Sequence, residues 1–172
     1  MLEISEQLPV TTDVREAISS QKKTVVNQNE LPLLLVVDDN EDIREYISLN
    51  FASQYCVQTA KDGLEGFNKA VESIPDIIVS DIMMPGVDGI EFCRRIKTDE
   101  HTSHIPVILL TARQSDESRI EGYETGADAY ITKPFNRKVL ETRMANLLQQ
   151  RLKLRELFGD GSAVEIKRLS VS

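Results

Sequence analysis

Five short aliphatic runs constrain this chain more than any other feature: Leu33-Leu34-Leu35-Val36-Val37, Tyr55-Cys56-Val57-Gln58-Thr59, Ile77-Ile78-Val79, Val107-Ile108-Leu109-Leu110 and Ala129-Tyr130-Ile131. Each is strand length. Between them lie stretches with apolar residues at helical spacing: Ile43, Ile47 and Phe51; Leu64, Phe67 and Val71; Ile90, Cys93 and Ile96; Ile120 and Tyr123. A last one starts near Asn136 with Val139, Leu140, Ala145 and Leu148. Strands that alternate with helices five times predict an α/β fold, a parallel sheet covered on both faces, because each return to a parallel neighbour needs a crossover. The first, third and fourth runs are continuously apolar, as buried central strands are. Asp62-Gly63, Pro75, Gly86, Gly89, Pro106, Gly126 and Pro134 punctuate the elements.

At 172 residues and 41% hydrophobic content, the chain can bury one core of about 100–150 residues with appendages. Residues 1–30 are polar, broken by Pro9 and without a hydrophobic period, which reads as a linker or N-terminal extension. The domain is expected over 31–150, and 151–172 extends the last helix into a C-terminal connector. Twenty basic against 28 acidic residues leave a net charge of −8, the wrong sign for a phosphate-backbone binder, so no direct nucleic-acid contact is expected from this segment. No apolar run approaches the roughly 18 residues of a spanning helix, so no membrane contact is expected either. Cys56 and Cys93 have no metal-like spacing and read as small buried apolar residues. A cytoplasmic location follows, including that of a cytosolic part of a membrane-anchored protein.

In an open α/β sheet, ligands bind beyond the carboxyl ends of the strands. Here those positions are polar: Asp38 and Asp39 after the first run, Asp81 after the third, Thr111 after the fourth and Lys133-Pro134 after the fifth. Three carboxylates on one edge repel one another unless a cation sits among them. Oxygen donors at a shallow site suit Mg²⁺, which shares its remaining positions with water and phosphate. A hydroxyl and an ammonium alongside fit recognition of an anion built beside the metal. Taken alone, Asp38-Asp39 reads as a turn or helix cap ahead of the Ile43 stretch rather than a metal site, and Tyr130 equally as a half-buried strand aromatic.

Four ordered motifs make the reading specific: Val36-Val37-Asp38-Asp39-Asn40; Ile78-Val79-Ser80-Asp81-Ile82-Met83-Met84-Pro85-Gly86-Val87-Asp88-Gly89; Ile108-Leu109-Leu110-Thr111-Ala112; and Gly126-Ala127-Asp128-Ala129-Tyr130-Ile131-Thr132-Lys133-Pro134-Phe135. Together they resemble the receiver (CheY-like) domain of two-component response regulators. The resemblance implies a flavodoxin-like, doubly wound sheet of order 2-1-3-4-5 flanked by five helices. It makes Asp81 the phosphoacceptor for a kinase phosphohistidine. Mg²⁺ would be held by Asp39, Asp81 and the Met83 main-chain carbonyl, with Asp38 acting through metal-bound water. Lys133, Thr111 and Ala112 would hold the phosphoryl group, with Tyr130 following Thr111 in the switch. Met83 and Arg113 occupy the positions that tune phosphoryl lifetime, and Pro134 resembles the family's cis-proline turn. Such a domain catalyses its own modification and is not a conventional enzyme.

The stretch Leu154-Arg155-Glu156-Leu157-Phe158 and the tail beyond it resemble the connector after the receiver in hybrid histidine kinases, which leads there to an AraC-type DNA-binding domain. That makes transcription the expected output and a histidine kinase domain the expected partner. The last helix, read as Asn136 to Phe158 and ended by Gly159-Asp160-Gly161-Ser162, overshoots a domain of this size. Leu140, Leu147 and Leu154 recur at seven, with Met144 and Phe158 between, a pattern that allows a homodimer or docking surface. The face formed by the fourth and fifth units is the other candidate for self-association. His101 and His104 lie in a polar stretch before Pro106 and read as solvent-facing loop. Two rival readings are an aspartyl-phosphate hydrolase, for which the chain lacks a second carboxylate two residues after Asp81, and a receiver-like docking module that is never phosphorylated.

Overall fold

The computed structural model describes residues 30–112 and 126–169, with side chains through residue 158. In chain order it contains β1 (Leu33–Val37), α1 (Glu41–Phe51), β2 (Cys56–Ala60), α2 (Gly63–Ser73), β3 (Ile77–Asp81), α3 (Gly89–Thr98), β4 (Val107–Thr111), β5 (Ala129–Thr132) and α4 (Arg137–Leu169). All strand pairs are parallel, in the order β2-β1-β3-β4-β5. The expected helix around Ile120 and Tyr123 lies outside the described residues.

Alternation along the strands divides the apolar residues into two cores, one on each face of the sheet. Leu34 and Val36 of β1 join Ile77, Val79, Ile108, Leu110 and Ile131, and are covered by Ile47 and Phe51 of α1 and by Leu140 and Met144 of α4. Leu35 and Val37 join Ile78, Val107 and Leu109, and are covered by Ala70 of α2 and by Phe92, Cys93 and Ile96 of α3. Every residue of β3 and β4 is buried, which accounts for their unbroken apolar runs.

Caps fix where the helices begin. Asn40 accepts from the Asp42 N–H, Asp62 from Glu65 and Asp88 from Glu91. Asn136 accepts from the Lys138 N–H at 2.8 Å ahead of α4.

Three expectations need correction. The face of α2 turned to the sheet carries Gly63, Gly66 and Ala70, whereas Leu64 and Val71 are exposed. The helix sits so close that a Cβ on Gly66 would lie 2.9 Å from Val37 Cγ2, while Phe67, as expected, packs against the same core. Cys56 is exposed while Cys93 is buried, because Cys56 opens an edge strand. The last helix runs on to Leu169 rather than ending at Phe158. A glycine weakens a helix interior by about 1 kcal/mol, whereas proline would break it.

The sevenfold leucine pattern is not one free seam. Leu140 and Met144 are fully buried in the domain's own core and Leu147 packs against it, leaving Leu154, Leu157 and Phe158 exposed. Where α4 leaves the domain, Arg151 donates to the Asp76 carbonyl at 2.8 Å. Asp76 in turn accepts from the Leu33 N–H through Oδ2, also at 2.8 Å. Among the described residues no helix is long and apolar enough to cross a membrane.

Candidate functional site

The carboxyl edge of the sheet gathers the polar residues. Asp38 follows β1, Asp81 is the last residue of β3, Thr111 the last of β4, and Lys133 follows β5. Hydrophobic strands carry these groups into the protein, so Asp38, Asp81 and Thr111 are all buried while Asp39 is exposed. One oxygen from each of Asp38, Asp39 and Asp81 can be chosen so that all three lie within 4.8 Å of one another. The Lys133 ammonium reaches two of them, 3.1 Å from Asp81 Oδ1 and 3.2 Å from Asp38 Oδ2.

Local geometry holds each member. The Asp38 N–H continues the ladder to the Ala60 carbonyl at 3.1 Å. Its carboxylate accepts from the Asn40 N–H at 2.9 Å, and its carbonyl accepts from Arg44 Nη1 at 2.7 Å. Ser80 Oγ donates to the Asp81 carbonyl at 2.9 Å. The Lys133 N–H donates to the Thr111 carbonyl at 2.7 Å, tying the ammonium strand to the hydroxyl strand. The Lys133–Pro134 bond is cis. Burial raises the proton affinity of the Asp38 carboxyl, and the Asp81 charge adds to this; the Asn40 N–H and Lys133 oppose it without overcoming it. For Lys133, burial alone would favour the neutral amine, but Asp38 and Asp81 outweigh it and hold the ammonium above its ordinary range.

Three carboxylates against one ammonium leave an excess of two negative charges in a pocket of oxygen donors. That composition matches a hard divalent cation and lacks the nitrogen and sulfur ligands of a zinc or copper site.

Of the other residues singled out in the sequence, Met83, two residues after Asp81, is 73% exposed. Tyr130 is half-buried and packs with the core on the α2 and α3 face. Ala112 is exposed just after β4, and Arg113 lies outside the described residues. His101 and His104 are exposed turn residues away from the acidic cluster, as read from the sequence. Asn40, Arg44 and Ser80 escaped sequence reasoning as site residues. Asn40, a residue type that caps helices, stands directly before the Ile43 stretch, whereas Arg44 reaches back to the Asp38 carbonyl with no signal of its own.

A family model for the response regulator receiver domain matches residues 34–145. Histidine kinase P4 of Formosa agariphila is 36% identical over 148 residues, covering 86% of this chain and 11% of its own length. The DNA-binding dual master transcriptional regulator RpaA of a Synechocystis species is 40% identical over 121 residues, covering 70% of this chain and 50% of its own. The chain thus spans half or less of these relatives. The BeF3-activated receiver domain of Thermotoga maritima DrrB is 37% identical with a TM-score of 0.64, over 69% of this chain and 98% of that one. With the same strand order and the same acidic edge already in place, the chain belongs to the response regulator receiver domains, the phosphoacceptors of two-component signalling.

Proposed function

We propose that Asp81 accepts a phosphoryl group from a kinase phosphohistidine and that Mg²⁺ supports the transfer. The observation that carries this reading is the Lys133 ammonium shared between Asp81 and Asp38 beside a three-carboxylate cluster. Asp38, Asp39 and Asp81 would hold the ion, which supplies positive charge where phosphoryl oxygens gather. A bond forms between a carboxylate oxygen of Asp81 and phosphorus as the bond from phosphorus to the donor imidazole breaks, and the imidazole keeps the electron pair. Such in-line transfer needs alignment and charge neutralisation more than acid–base chemistry. Lys133 provides neutralisation from the protein side, and the strand ends provide alignment.

A hollow of about 440 Å³, lined by Ile43, Tyr46, Lys133, Pro134 and Phe135, shares Lys133 with the cleft. It offers a landing surface for the donor domain. Modification adds charge and three strong acceptors next to Thr111, whose hydroxyl is the group to answer them. One charge-assisted hydrogen bond is worth about 1.5–3 kcal/mol, whereas moving a population from 1:99 to 99:1 takes about 5.5 kcal/mol. Tyr130 burial or partner binding has to supply the remainder.

The setting we infer is a cytoplasmic receiver of residues 31–150 within a hybrid histidine kinase that controls transcription. The match to the P4 kinase supports it by running beyond the receiver, 148 residues against 121 for RpaA. The test is incubation with Mg²⁺ and acetyl phosphate followed by intact-mass measurement. A gain of one phosphoryl group, absent in Asp81→Asn and in chelator, is expected. Sustained turnover of phosphate esters would point instead to a hydrolase, and no response at all to a docking module.

A further inference from the structure

Gly89, the first residue of α3, touches the backbone of Asp81. A Cβ at Gly89 would lie 1.9 Å from the Asp81 carbonyl oxygen, 2.7 Å from Ile82 Cα and 2.8 Å from the Asp81 carbonyl carbon. The Gly89 N–H donates to the Ile82 carbonyl at 2.9 Å, so the segment between them closes into a loop that carries Met83. The other side of this backbone is equally held. Ser80 Oγ donates to the Asp81 carbonyl, and the Ile82 N–H donates to the Leu110 carbonyl at 3.1 Å. Retreat of the helix to make space would uncover Phe92, Cys93 and Ile96, which are fully buried against the sheet.

We propose that Gly89 is a positioning residue for the phosphoacceptor: the bare Cα of α3 fixes the backbone of Asp81 and the loop after it at the distance the metal and phosphoryl group require. This rests on the reading of Asp81 as phosphoacceptor. Any side chain at 89 forces that backbone to move by about 1 Å before contact becomes tolerable. A displacement of that size in a reacting group slows a reaction by roughly 100-fold, and disturbing the support of a metal ligand weakens the metal by roughly 10- to 100-fold.

The experiment is Mg²⁺ titration calorimetry on the full chain, paired with the rate of acetyl phosphate labelling, for wild type, Gly89→Ala and Met144→Ala. Met144 is buried on the opposite face of the sheet and controls for a general loss of stability. The expected result is a Mg²⁺ Kd raised roughly tenfold or more in Gly89→Ala, with slowed labelling, while Met144→Ala keeps the wild-type Kd. A wild-type Kd in Gly89→Ala, or the same rise in both variants, overturns the proposal. If Gly89→Ala does not fold, Ser80→Ala, which loosens the same carbonyl, is expected to raise the Kd to a smaller extent, and no rise overturns it. Absence of labelling in wild type would count against the phosphoacceptor reading, while the Mg²⁺ titration would still judge Gly89.

Discussion

Lys133 bridges two carboxylates that belong to different strands, reaching Asp81 on β3 at 3.1 Å and Asp38 after β1 at 3.2 Å. Its ammonium is stabilised by both, so its contribution to folding is complete at neutral pH. It is lost only as pH rises beyond the ordinary lysine value of 10.5 through the higher folded value. Replacing it leaves two buried acids facing each other. Lys133→Gln is expected to lower stability in chelator at pH 7 by about 1.5–3 kcal/mol, measured by urea denaturation, and to slow phosphoryl transfer. An unchanged midpoint together with an unchanged rate would remove Lys133 from the site.

Asp38 carries the opposite sign. Burial first, and the Asp81 charge second, make its ionised form costly in the folded state. A raised acid pKa means that the folded protein binds the proton more tightly than the unfolded chain does. This group therefore subtracts stability as pH rises from the ordinary value of 3.8 through the folded value, and the penalty persists at pH 7. Asp38→Asn is expected to raise the melting temperature in chelator at pH 7 and to flatten the pH profile above 4. It should also lose the stabilisation by Mg²⁺ that is expected of the wild type. A variant less stable than wild type in chelator would contradict this.

Thr111 is buried, with its carbonyl bonded to the Lys133 N–H, so its backbone is held whatever its side chain does. Thr111→Val keeps the shape and removes the hydroxyl. Labelling of Asp81 is expected to persist within a fewfold of wild type, while the shifts of Tyr130 resonances on phosphorylation disappear from NMR spectra. Labelling abolished with Mg²⁺ binding intact would assign Thr111 to the transfer step instead of the switch.

The parallel sheet and its polar edge were legible because they rest on strong local signals. The unbroken apolar runs of β3 and β4 fall on fully buried strands, and Asp81 and Thr111 fall at their ends. What escaped is what depends on close approach. Apolar spacing chose Leu64, Phe67 and Val71 as the inner face of α2; Phe67 does pack on the core, but the fully buried contacts are Gly63, Gly66 and Ala70, since the smallest side chains allow the tightest contact. The same blindness made Gly89 look like turn punctuation and hid its contact with Asp81. The sevenfold leucines of α4 recorded two environments in succession, core at Leu140 and solvent at Leu154, which a one-dimensional pattern cannot separate.

Arg151 marks where α4 leaves the domain. Its side chain is 14% exposed and bonded to Asp76, which also caps the start of β1. Arg151→Gln is expected to lower stability by about 1–2 kcal/mol and to speed amide exchange in α4 beyond residue 148, with Asp81 labelling unchanged. Exchange rates equal to wild type would show that the ion pair does not hold the helix.

The most direct measurement is chemical trapping of the modified carboxyl. After incubation with Mg²⁺ and acetyl phosphate, borohydride reduces an acyl phosphate to an alcohol, and peptide mapping locates the changed residue. Reduction at Asp81 alone, abolished by chelator, is the predicted result. Reduction at another carboxylate, or at Asp81 to the same extent without divalent metal, would contradict a metal-assisted phosphoacceptor at the end of β3.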